Sequence, residues 1–126
     1  MSNSHVCLIL FPSARSRLHD AQTALENYGL TVENENNKLL CFRDNSPRFS
    51  VHMNTGEDVQ IEAKELGAEN PNYRSRLSKC DRRFEVSFDS LDEVLNEINT
   101  LIDIQFALQE ITEGVVFTSW NGIIEI

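Results

Sequence analysis

Histidines, cysteines and clustered carboxylates are the residues of this chain whose chemistry could support catalysis or metal binding. His5, His19 and His52 are widely separated and complete no metal-ligand or catalytic spacing. His19, beside Asp20, falls on a predicted helix, and His52 falls on the outer side of a predicted strand with no carboxylate in the sequence assignable to it as an acid–base partner. Cys7, Cys41 and Cys80 form no C-x-x-C pair. Cys7 and Cys41 sit inside apolar runs, where a thiol behaves as a small buried hydrophobe, so neither a disulfide framework nor a zinc site is expected. Cys80 stands close to Arg82 and Arg83, which could lower a thiol pKa. Packing on a helix face is the simpler role. The five glycines fall at predicted helix ends, turns and loops and form no phosphate-binding loop. No catalytic residue, cofactor or metal is therefore assigned.

The carboxylates carry more information through their distribution. Residues 1–83 hold all 11 Lys and Arg and 11 of the 20 Asp and Glu. Residues 84–126 hold the other nine acids and no Lys or Arg, so the formal charge of −9 falls on the last third of the chain. Such a field repels nucleic-acid phosphates and steers cationic partners toward the surface that bears it. The basic residues Arg74, Arg76, Lys79, Arg82 and Arg83 form one cluster, diluted by Asp81. It is too small and the net charge too negative for nucleic-acid binding, and pairing with carboxylates of the last third is expected instead.

The strongest element is the segment that carries these acids. Ser90 followed by Glu93 is a capping-box pattern, and Gly114 closes an apolar periodicity through Leu91, Val94, Leu95, Ile98, Leu101, Ile102, Leu108 and Ile111. This predicts a long amphipathic helix over about 90–113. Asp92, Asp103 and Glu110 fall on its outer face, Glu113 at its end, and Phe106 at the border of the apolar stripe.

The remaining elements follow from local pattern. His5–Phe11 reads as a strand buried on both faces, and Ser13 caps a helix over Ala14–Tyr28, giving an opening β-α-β unit. Leu30–Glu35 and Lys38–Arg43 form a hairpin about Asn36-Asn37. Arg48–Met53 alternates as a strand, as does Asp58–Lys64, although the latter segment is also compatible with a helix. A short helix over Asn72–Cys80 precedes a strand through Phe84, Val86 and Phe88. Val115–Trp120 and Ile123–Ile126 form a final hairpin about Asn121-Gly122. At 126 residues this is one α+β domain, a mostly antiparallel sheet with two larger helices on one face. Trp120, the only tryptophan, stands at the rim of the last hairpin, where it could close the core or anchor a partner. No apolar run is long enough to span a bilayer, and the N-terminus lacks a signal-peptide pattern, so a cytoplasmic, reducing location is expected.

In overall character the chain resembles bacterial immunity proteins, the antitoxin partners of polymorphic and contact-dependent toxins: small, acidic, single-domain α+β proteins without a catalytic motif. The resemblance implies a non-catalytic inhibitor that occludes a basic surface of a cognate toxin domain, such as a nuclease, with an acidic face. On this reading Asp92, Asp103, Glu110 and Glu113 steer and pair, and Phe106 and Trp120 are apolar anchors. The alternative is a small accessory or regulatory domain that dimerises or binds a partner through its C-terminal hairpin, whose last strand would be an open sheet edge. Monomer and dimer remain open, and no nucleic-acid or membrane partner is expected.

Overall fold

A computed structural model describes residues 5–12 and 15–125. Seven strands, β1 (Val6–Phe11), β2 (Thr31–Glu35), β3 (Lys38–Phe42), β4 (Phe49–Thr55), β5 (Arg82–Ser87), β6 (Val115–Thr118) and β7 (Gly122–Ile124), form one sheet in the order β2-β3-β4-β5-β1-β6-β7. Every neighbouring pair is antiparallel. The expected α+β domain with a C-terminal helix and final hairpin is therefore present. In the opening β-α-β unit, β1 and β2 run in the same direction but are separated by β5, β4 and β3.

Alternation along the strands divides the core in two. Cys7, Ile9 and Phe11 of β1 join Phe49, Val51, Phe84, Val86 and Val116 on one face, beneath α1 (Leu18–Asn27) and α5 (Ile98–Thr112). Phe11 and Phe84 lie in tilted contact there, with ring centroids 4.9 Å apart. Leu8 and Leu10 point the other way and pack with Val115 against Ala63 of α2 (Glu57–Glu69) and Leu77 of α3 (Arg74–Leu77). Each such side chain, fully buried, contributes on the order of 1.5–3 kcal/mol. Helices thus cover both faces of the sheet, not one.

Several local expectations change. Residues 58–64 are helical, within α2. The alternation of Val59, Ile61 and Ala63 was misleading, because Val59, Ala63 and Gly67 also follow a four-residue helical spacing and are the positions buried, whereas Ile61 is 50% exposed. The first helix begins at Leu18, where the Asp20 carboxylate accepts from the Arg17 N–H at 2.8 Å. The proposed Ser13 cap lies outside the described residues. The basic segment is a 3₁₀ turn, Pro71–Tyr73, followed by the short α3. The last hairpin has a three-residue loop, 119–121, because Thr118 pairs with Gly122 (φ 73°) and its hydroxyl accepts from the Asn121 N–H at 3.0 Å. The Asn36-Asn37 turn forms as expected, with φ of 51° and 66°.

Candidate functional site

The C-terminal helical segment that carries the predicted partner-binding residues is bent. α4 (Leu91–Asn96) ends before Glu97, whose φ/ψ of −128°/67° interrupts the helix, and α5 restarts at Ile98. A side-chain cap marks the start of α4, whereas α5 starts without one and has only a side-chain contact across its first turn. The Ser90 hydroxyl accepts from the Glu93 N–H at 3.3 Å, and the Glu97 carboxylate accepts from the Thr100 hydroxyl one turn into α5.

The interruption shifts the apolar face. In α5 the buried residues include Leu101, Ile104, Ala107 and Leu108, with Val94 buried from α4. Leu95 and Ile102, expected in the core from a single uninterrupted helix, are instead 47% and 36% exposed, and Phe106 is 39% exposed. Ile102 and Phe106 are one helical turn apart and lie on the same side of α5. Ile102 and Phe106 thus form an outward ridge on α5, and Leu95 is exposed separately on α4.

The six candidate binding residues separate into distinct groups. Asp92 is exposed in the first turn of α4, near exposed Asp89 and Glu93, and among the described residues none of the three forms an ion pair. Asp103, Glu110 and Glu113 are engaged within the chain. Asp103 pairs with Arg43 at 2.7 Å. Glu110 accepts from the Tyr28 hydroxyl at 2.8 Å, and Glu113, in the left-handed conformation at the end of α5, faces Arg15 at 3.4 Å. The Tyr28 hydroxyl is held above its usual pKa by the hydrogen bond to Glu110, with burial and the charges of Glu110 and Asp103 adding to the effect. Phe106 belongs to the exposed ridge. Trp120 is half-buried at the far end of β6 from Glu113, edge-on to Phe88 at 5.7 Å and to His5 at 6.3 Å. It closes the rim of the core and does not join the α5 row.

The other candidate chemistries have structural explanations. All three cysteines are buried. Burial pushes the Cys7 and Cys41 thiols up to about 12 and Cys80 to about 11, against a lowering by Arg76, so none is an activated nucleophile at neutral pH. Among the described residues no cluster of His, Cys, Asp and Glu could hold a metal ion. His52 does have a carboxylate neighbour, invisible in the sequence: Glu85 lies opposite it across β4–β5, with Nε2 3.7 Å from Oε2. Glu85 is shared with Arg83, at 3.2 Å, which also pairs with Glu62 of α2 and donates to Asn54 Oδ1 at 3.0 Å. This network ties α2 to the sheet. Arg83 thus fulfils the expected pairing with an acid of the last third, whereas Arg76 donates to the backbone carbonyls of Glu113 and Gly114 at 3.1 and 3.2 Å.

No protein-family model, curated protein or solved structure matches the chain.

Proposed function

We propose that this protein is a non-catalytic, protein-binding inhibitor of the immunity type, which neutralises a cationic toxin domain, such as a nuclease, in the cytoplasm. The observation that carries this reading is the outer side of α4 and α5, where Leu95, Ile102 and Phe106 are exposed along with Asp92 and Glu93, on a stretch of sequence that itself contains no Lys or Arg. Apolar anchors supply binding energy on desolvation, while unpaired charge at their margin accelerates encounter with a partner of opposite sign. Asp92 is the primary steering residue on this model and Phe106 the anchor. Asp103, Glu110 and Glu113 contribute to the field while also engaging partners within the chain. Trp120 is a peripheral contact at most.

The test is to mix the protein with the toxin domain encoded by an adjacent reading frame. A stable stoichiometric complex with loss of toxin activity is expected, and full activity without complex formation contradicts the proposal. A second reading rests on β7, a three-residue strand at one edge of the sheet that could pair with another copy. Sedimentation at dilute concentration separates them: a monomer favours the inhibitor, a dimer lost on replacing Ile123 with Pro favours the edge-paired domain.

A further inference from the structure

The basic segment that the inhibitor reading leaves unused borders a cleft at the corner where α5 turns into β6. Two cavities, of about 340 and 140 Å³, adjoin here, with Arg76, Gly114 and Val115 lining both. The larger is also lined by Tyr73, Val116 and Ile124 and by one acid, Glu125. The smaller is lined by Leu10, Pro12 and three cations, Arg15, Arg76 and Lys79, with Glu113 the only acid among its lining residues. Three cations around a small cavity are unexpected in a chain of formal charge −9.

Of the three cations, Arg76 is held in place by the chain itself. Arg76 contacts the carbonyls of Glu113 and Gly114 through Nη2 alone, and its guanidinium carbon lies 5.8 Å from the Tyr73 ring centre. Nη1 and Nε make no hydrogen bond among the described residues, so N–H groups suited to a carboxylate or phosphate remain available. Lys79 forms no ion pair among the described residues, and Arg15 has only the exposed Glu113 carboxylate, at 3.4 Å. The floor is tightly packed, since a Cβ on Gly114 would stand 2.5 Å from the Leu10 carbonyl oxygen. Arg76 offsets the negative end of α5 at this corner and Arg15 faces Glu113, leaving Lys79 as the cation without an acidic partner among the described residues.

We propose that this groove binds a small organic oxyanion, with its charged head among Arg76, Lys79 and Arg15 and its carbon body against Tyr73, Val116 and Ile124. The site shares only Glu113 with the residues of the inhibitor reading, and Lys79, Tyr73 and Ile124 lie outside that reading, so either proposal can fail without the other. Phenyl phosphate and benzoate are suitable probes because they share a body and differ in head group. Each is titrated into isotopically labelled full-length protein at constant ionic strength, with potassium chloride as the reference. Saturable amide shifts at Gly114, Val115 and Cys80 are expected, and affinity is expected to fall about tenfold in Lys79→Glu, the loss of one charge-assisted contact plus a reversal. Lys79 is exposed, and an unchanged spectrum elsewhere verifies that the variant is folded. Shifts from phenyl phosphate alone assign the head group as phosphate, and shifts from both probes assign a general oxyanion. Shifts matched by chloride, or saturable binding that Lys79→Glu leaves unchanged, overturn the proposal.

Discussion

The carboxylates of the C-terminal helices are used in two different ways. Along the side of α5 near α1, Asp103 and Glu110 are latches, bonded to Arg43 and Tyr28, and Glu113 faces Arg15 at the helix end. On α4, Asp92 and Glu93 have no such partner among the described residues; exposed Leu95 lies on the same helix, and exposed Ile102 and Phe106 follow on α5. Acids that look equivalent on a helical projection are therefore unequal. A latch is already partly desolvated and committed, whereas a free carboxylate retains its charge for a partner.

Substitutions that distinguish core, latch and free surface should form a descending series in stability. Leu108→Ala, which opens a cavity beneath α5 at a fully buried position, should cost about 2–5 kcal/mol in denaturant unfolding. Asp103→Ala should cost about 1 kcal/mol by the same measurement, because it strands Arg43, whose Nε is already buried without a partner. A cost near zero would mean that the latch is only a surface contact. Glu110→Gln should leave stability almost unchanged but let Tyr28 ionise at lower pH, as read by ultraviolet titration. The sign follows from the cause: Glu110 stabilises the protonated phenol, so removing its charge favours the phenolate. Asp92→Lys should change stability by no more than about 0.5 kcal/mol.

Much of this architecture is legible in the sequence, and the failures have local physical causes. The Ser90 cap, the Asn36-Asn37 turn and the both-faced apolar run of β1 are encoded within a few residues, and all form. The extent of the C-terminal helix is less legible because apolar periodicity runs through Glu97, while the backbone breaks there and turns Leu95 outward. At α2, three alternating apolar residues fit a strand as well as a helix until the burial of Gly67 on Arg74 and Leu77 decides between them. The latches and the His52–Glu85 contact were not readable, because each joins residues that only the strand order and helix packing bring together. Phe106 is legible at the border of the stripe, whereas its exposed neighbour Ile102 follows the core periodicity. The groove at Arg76 had a partial signal, the isolated basic cluster, without any sign of the cavity beside it.

The central claim is that the outer side of α4 and α5 is a binding surface built from free charge and exposed apolar side chains. Its most direct test is the association rate with the adjacent-frame toxin domain across a salt series, comparing the parent with Asp92→Lys/Glu93→Lys. Association slowed by about tenfold at low salt and a flattened salt dependence are expected, with only the small fall in unfolding midpoint that cations in the first turn of α4 produce. Equal association rates and equal salt slopes for the two proteins would contradict it.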